Sequence, residues 1–148
     1  MERGFKVIKG YEDKNINLPK RSTKHSAGYD FEAAEDVIIP ANTDVPTLVK
    51  TGIKSYMKDG EVLFLFNRSS NPKKKGLILA NSVGVIDKDY FENEDNDGHI
   101  MFAFYNIKTE DLVIKKGDKI GQGVFMNFYL ADGDNAEGER TGGFGSTN

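Results

Sequence analysis

The chain reads as a single all-β domain, and three observations predict that fold class. Ten phenylalanines and sixteen glycines are spread through 148 residues, so strand-forming and turn-forming types recur along the length. Apolar and polar residues alternate over short segments, as they do on half-buried strands. No long segment shows the 3.6-residue period of an amphipathic helix.

Strands are expected at 29–34, 37–39, 48–56, 61–66, 83–86, 99–107, 112–114 and 120–128. The cleanest alternation lies in 48–55, which predicts one face buried and one solvated. Turn punctuation separates the strands at Asp59-Gly60, Asn71-Pro72, Asp97-Gly98 and Lys116-Gly117-Asp118. One short helical turn is expected near 69–75, with Pro72 in its first turn. Many short strands at this spacing build a sandwich, barrel or jelly roll. The predicted core covers 1–130. From Ala131 the composition changes to Gly, Asp, Asn, Glu, Ser and Thr, so 131–148 is expected to be a flexible tail.

Composition narrows the function. The formal net charge is -3, so no overall field draws the chain to nucleic acid or to an anionic membrane. A polyanion would need locally gathered positive charge. The absence of cysteine excludes disulfides, thiol catalysis and thiolate metal sites. The charged N-terminus lacks an apolar h-region, and no apolar run approaches the roughly 20 residues of a membrane helix. A cytoplasmic protein is expected, in the host cytoplasm if the gene is viral.

Several segments can carry chemistry. Asn67-Arg68-Ser69-Ser70-Asn71, followed by Lys73, Lys74 and Lys75, offers a planar guanidinium, hydroxyls and loop amides to an anion. A helix starting near Ser69 would add its N-terminal amides. The bland alternative is a polar loop with an N-capping serine. Gly84-Val85-Ile86-Asp87-Lys88-Asp89-Tyr90 puts carboxylates just past an apolar strand, where one can act as general base toward a water. Tyr90 can pack a flat face on a sugar. Its alternative is an ordinary strand end. The stretch 93–98 imitates half of a calcium loop, but Phe104 stands where the twelfth-position Glu belongs, so a solvated acidic loop is expected. His25 and His99 lack metal-ligand spacing and read as ordinary surface or strand-edge residues. In Gly142-Gly143-Phe144-Gly145-Ser146-Thr147, glycines permit close backbone approach, hydroxyls suit phosphate and Phe144 can stack on a base.

Taken together and in order, these segments resemble the trimeric dUTPase family. Its five motifs look like Ala27-Gly28-Tyr29-Asp30-Phe31, then Arg68-Ser69-Ser70, then the run from Asn81 through Asp87 to Tyr90, then Gly117-Asp118-Lys119-Ile120-Gly121-Gln122, and last Arg140-Thr141-Gly142-Gly143-Phe144-Gly145-Ser146-Thr147. The resemblance implies a β jelly roll, a distorted barrel, assembled as a homotrimer with active sites shared between subunits. It implies a dUTP diphosphatase that yields dUMP and pyrophosphate, limits uracil in DNA and supplies dUMP for dTMP synthesis. Asp87 resembles the catalytic aspartate that activates water. Asn81, Gly84, Val85 and Ile86 match the uracil-reading segment, and Tyr90 the tyrosine beneath deoxyribose. Arg68, Ser69, Ser70 and Gln122 match phosphate-binding positions. Arg140, Phe144, Gly145, Ser146 and Thr147 match the tail that closes over the nucleotide. Mg2+ is implied, held mainly by the triphosphate and waters, with Asp30 the candidate for contact through water and no protein residue binding it directly.

Two features depart from the commoner family pattern. Glu92-Asn93 follow Phe91 where a Gly-Glu pair is usual, and Arg140 stands four residues before Phe144 instead of five. The first resembles a variant among Gram-positive bacteria and their phages. Two alternatives stay open at this stage: a dCTP deaminase-like enzyme, and a phage dUTPase that also binds a repressor protein.

Overall fold

Short β-rich segments broken by glycine and proline fold as the sequence predicts. The structure is a computed structural model that describes residues 1–138, 140 and 142. Among these, the strands in chain order are β1 (Gly4–Val7), β2 (Tyr29–Glu32), β3 (Val37–Ile39), β4 (Thr47–Lys50), β5 (Ile53–Tyr56), β6 (Glu61–Asn67), β7 (Leu77–Leu79), β8 (Gly84–Ile86), β9 (Met101–Asn106), β10 (Leu112–Ile114) and β11 (Lys119–Asn127). They pair antiparallel as β2-β11-β6-β8, β4-β9-β7, β1-β5 and β10-β3. The architecture is a jelly-roll β fold. No described helix is long and apolar enough to cross a membrane.

The two larger sheets meet through aromatic side chains. Phe31 of β2 packs edge-on against Phe102 of β9 at 5.4 Å between ring centroids, and Phe102 stacks on Phe104. Leu63, Leu65, Leu77, Leu79, Ile86 and Ile120 complete this buried core. Burying each such side chain is worth roughly 1.5–3 kcal/mol.

The expected strand 48–56 is two strands. The chain breaks at Gly52, whose φ of +72 lies in the left-handed region that favours glycine. Thr51 and His99 hold the break. Thr51 Oγ1 donates to the Ile100 carbonyl at 2.6 Å, and the Gly52 N–H donates to His99 Nε2 at 2.9 Å. Before the break β4 pairs with β9; after it β5 pairs with β1. Ile53, Lys54 and Ser55 are all buried, so the predicted alternation stops there. Strands β1 and β7 are additions to the sequence reading. Each is too short, at four and three residues, to show a period.

The helical turn runs Asn71–Lys75, later than Ser69. It is no amide cradle: the Asn71 N–H donates to the Arg68 carbonyl, and Pro72 has no N–H. Ser70 precedes the turn without a side-chain capping bond.

The sheet β2-β11-β6-β8 also has an outer face. Registered pairs place Phe66 beside Gln122 and Phe64 between Val124 and Val85. Val85 is 57% exposed and Met126 49%.

Candidate active site

Strand β6 organises the site because functional residues emerge at both of its ends. On one side, β8 pairs with β6 and delivers Asp87 one residue beyond Ile86, whose partner is Leu63. A 3-10 turn, Lys88–Tyr90, follows at once. Its tight geometry keeps Asp87 and Asp89 exposed while it buries Tyr90. Asp59, Gly60, Glu61, Asp87, Lys88, Asp89, Phe128 and Arg140 line a cleft of about 370 Å³.

Arg140 ties this end together. Its Nη2 donates to Asp87 Oδ2 at 2.6 Å, and its Nε donates to Asp89 Oδ1 at 2.8 Å. The guanidinium also lies 5.9 Å from the Tyr90 ring centroid. Its side chain is only 12% exposed while both carboxylates stay open to solvent, so these are charge-assisted contacts at the cleft surface. Fifty residues of intervening chain hid this meeting from a local reading of the motifs.

Tyr90 is held from its far end. Its hydroxyl donates to the His99 carbonyl at 2.6 Å and accepts from Asn96 Nδ2 at 2.9 Å. Burial raises its phenol above the ordinary value, and the Asn96 bond opposes that only in part. The 93–98 stretch is only in part the solvated acidic loop expected from sequence: Glu94 and Asp95 are exposed, but the rest is tied inward. Asn93 is buried, and Asp97 pairs with Lys54 at 3.0 Å. Burial alone would lower Lys54, but hydrogen bonds to Glu92 and Asp97 outweigh it and hold the ammonium above its usual value. His99 is likewise no surface residue: burial, with help from Lys50, pushes it down to about 4.

At the other end of β6 sits a different set. Gln122 of β11 pairs with Phe66 and with Asp30 of β2. Its Nε2 donates to the Asn67 carbonyl at 3.1 Å. Gly28 makes room for it: a Cβ at that position would lie 2.0 Å from Gln122 Oε1. Arg68 Nη1 donates to the Lys119 carbonyl at 3.3 Å, and Lys119 Nζ lies 3.5 Å from Asp30 Oδ2. Ser69 is exposed and Ser70 partly so. Beneath them Asn71 Nδ2 donates to Asn67 Oδ1 and to the Ile120 carbonyl, an anchor within the predicted cradle whose role its sequence context did not reveal.

Asn81 lies in the exposed connection from β7 to β8. Gly84, Val85 and Ile86 form β8, an edge strand of its sheet. Such a strand has a row of backbone donors and acceptors outside the ladder, able to read a planar polar ligand. Phe144, Gly145, Ser146 and Thr147 lie outside the described residues.

One chain separates these two sets. Asp87 emerges level with Val62, and Arg68 follows Asn67, so six strand steps of 3.3 Å place them roughly 20 Å apart along β6. No group of three or more His, Asp or Glu able to hold a metal occurs among the described residues.

Comparison with known proteins assigns the chain a family. The dUTPase family model covers residues 14–148. The deoxyuridine 5'-triphosphate nucleotidohydrolase of Lactococcus lactis subsp. lactis is 57% identical over 147 residues, which cover 98% of this chain and 97% of the relative. The protein of the same name from Desulfitobacterium hafniense is 39% identical, covering 92% and 90%. The crystal structure of dUTPase from Streptococcus mutans aligns with a TM-score of 0.83 at 53% identity, covering 88% of this chain and 99% of that one. A Staphylococcus bacteriophage 80alpha dUTPase shares the fold, with a TM-score of 0.71 at 21% identity, covering 92% and 88%.

Proposed function

The chain belongs to the dUTPase family and is a dUTP diphosphatase, and on that premise we propose that Asp87 activates the water that attacks the α-phosphate. The observation that carries this reading is the position of Asp87: an exposed carboxylate ending an edge strand, in one cleft with Asp89 and Arg140 and beside Tyr90. Asp87 takes a proton from the water as its oxygen bonds to the α-phosphorus. The bond to the bridging oxygen breaks, dUMP forms and pyrophosphate leaves. Developing charge needs donors already in place. Arg68, Ser69, Ser70 and Gln122 are those donors, joined by Arg140 and by Ser146 and Thr147 of the tail. Phosphate oxygens compete with Asp87 and Asp89 for the Arg140 guanidinium, so binding of the triphosphate releases Asp87 for the water.

The free side of β8 reads uracil. Backbone groups in fixed order reject cytosine because mismatched polar groups stay unpaired. Tyr90 forms the floor under deoxyribose. Phe144 and Gly145 close over the base with the rest of the tail, residues 131–148, which folds down from the core, residues 1–130.

The described donor set suits a cation that arrives with the triphosphate. Asp30 would touch Mg2+ through water; its partly exposed position beside Gln122 and Lys119 supports this reading. Such an ion supplies charge neutralisation on the phosphate oxygens.

The roughly 20 Å between Asp87 and Arg68 far exceeds the spacing of neighbouring phosphates. A site that uses both therefore draws them from different copies. The partly exposed Phe64 with the exposed Val85 and Met126 supplies apolar surface for assembly, and the closed form implied by the family resemblance is a homotrimer. This reading places the enzyme in the cytoplasm, where it limits uracil in DNA and supplies dUMP. Pyrophosphate release from dUTP, dCTP, dTTP and UTP tests the chemistry. Hydrolysis of dUTP far above the others is expected; ammonia from dCTP with no pyrophosphate from dUTP would overturn it.

A further inference from the structure

The segment after Tyr90 is built more firmly than its composition requires. Asn93 Nδ2 donates to the Tyr90 carbonyl and to Asn96 Oδ1, both at 2.8 Å. Asn93 Oδ1 accepts the N–H groups of Asp95 and Asn96. Asn96 Oδ1 also accepts the Gly98 N–H at 3.1 Å, while its Nδ2 reaches back to the Tyr90 hydroxyl. Lys54, buried in β5, holds both ends of the loop: its Nζ lies 2.7 Å from Glu92 Oε2 and 3.0 Å from Asp97 Oδ2. The Lys9 N–H donates to the same Asp97 oxygen at 2.9 Å.

Two residues in this loop, Glu92 and Asp97, adopt φ of +55 and +60. Left-handed backbone at non-glycine residues costs on the order of 1 kcal/mol each and persists only when surroundings impose it. Here the imposing groups are the buried ammonium and the two asparagines. The Asn96 amide of this loop reaches the Tyr90 ring system through its hydroxyl.

From this geometry we infer that Asn96 is a positioning residue for sugar discrimination: its amide, anchored through Lys54, fixes the height of the Tyr90 ring. The inference rests on Tyr90 being the floor under deoxyribose. A ring held from its hydroxyl end by two hydrogen bonds cannot drop to admit a ribose 2'-hydroxyl. With one bond gone, the ring can tilt and make room. Sequence alone hid the role because Asn96 sits in a run of acidic and amide residues that reads as solvated.

The test compares kcat and KM for dUTP and UTP in the full-length enzyme with Mg2+. The variants are Asn96→Asp, Tyr90→Phe, the double variant and Tyr90→Leu. Asn96→Asp keeps the oxygen that holds Asn93 and Gly98 and removes the donor to Tyr90. It should raise the UTP-to-dUTP ratio of kcat/KM about tenfold, the worth of one ordinary hydrogen bond. The change should appear mainly in KM. Tyr90→Phe deletes that bond together with the one to the His99 carbonyl, so it should raise the ratio at least as far. The double variant should match Tyr90→Phe, because Asn96 then has no hydroxyl left to act on. A role confined to holding the loop would lower the thermal midpoint and leave the ratio alone. An unchanged ratio in Asn96→Asp and Tyr90→Phe, with Tyr90→Leu losing discrimination, overturns the inference and spares the Tyr90 reading. An unchanged ratio in Tyr90→Leu overturns both.

Discussion

At the Glu61 end of β6 the chain gathers carboxylates, a buried aromatic ring and Arg140; at the Asn67 end it gathers hydroxyls, amides and Arg68. The two ends are also held differently. The Asp87 end leans on a network of buried Lys54, Asn93 and His99 with partly buried Asn96. The Arg68 end leans on the Asn67 and Asn71 amides, with Ser69 and Ser70 left toward solvent. Under the proposed function, one end orients a water and a sugar and the other receives oxyanions. The contrast teaches that two groups of candidate site residues on one chain are set apart and supported by different networks.

The largest effect that can break this contrast is at Asp87. Asp87→Asn keeps the size and removes the base, so kcat should fall about 10²–10⁴-fold with nucleotide affinity kept. Turnover within a few-fold of the parent enzyme would remove Asp87 from the chemistry.

At the opposite end, Arg68→Ala should cost about ten- to a hundredfold in kcat/KM for dUTP, through loss of a charge-assisted phosphate contact. The UTP-to-dUTP ratio should not move, because the proposed site reads the sugar at the other end. A shift in that ratio would mean that the two halves are not separate in role.

Gly28→Ala sharpens the comparison further. The new Cβ would meet Gln122 Oε1, the flexible end of a side chain, so the fold survives while Gln122 moves. About a tenfold loss in kcat/KM is expected, and little further loss when Gln122→Ala is added. Additive losses would show that Gly28 acts by another route.

The last expected effect concerns stability, not turnover, at the Tyr90 end. His99 has its folded pKa lowered to about 4 from 6.5, so the folded state binds fewer protons than the unfolded one between those values. Its neutral, buried ring contributes fully above pH 6.5, and that contribution fades as pH falls toward 4, by about 3 kcal/mol at most. Thermal midpoints measured across this window should drop, and His99→Gln should flatten the drop. An equal slope in the variant would assign the acid sensitivity to other groups.

Much of this molecule is legible from sequence. Strands β2, β3, β6, β10 and β11 fall where alternating apolar residues and turn punctuation place them. The Asp87 and Arg68 segments stand out because their chemistry is local. What local reading cannot reach is tertiary. Gly52 splits a convincing strand because Thr51 and His99 bond the chain in a left-handed turn. Lys54 looks like a solvent-facing position in an alternating run, yet it is buried by carboxylates some forty residues away. Arg140 meets Asp87 and Asp89 through the fold alone. The separation of Asp87 from Arg68 follows from the β6–β8 register, which pairs Leu63 with Ile86.

The central claim is that a working site joins the Asp87 end of one chain to the Arg68 end of another. Mixing two impaired variants tests it most directly: Asp87→Asn and Arg68→Ala chains, denatured together and refolded so that they co-assemble at random. Sites built from different chains receive both native residues in about one case in four, so about a quarter of parental dUTP hydrolysis should return. If each chain supplied its own complete site, no mixture would be more active than its components, and that result would contradict the account.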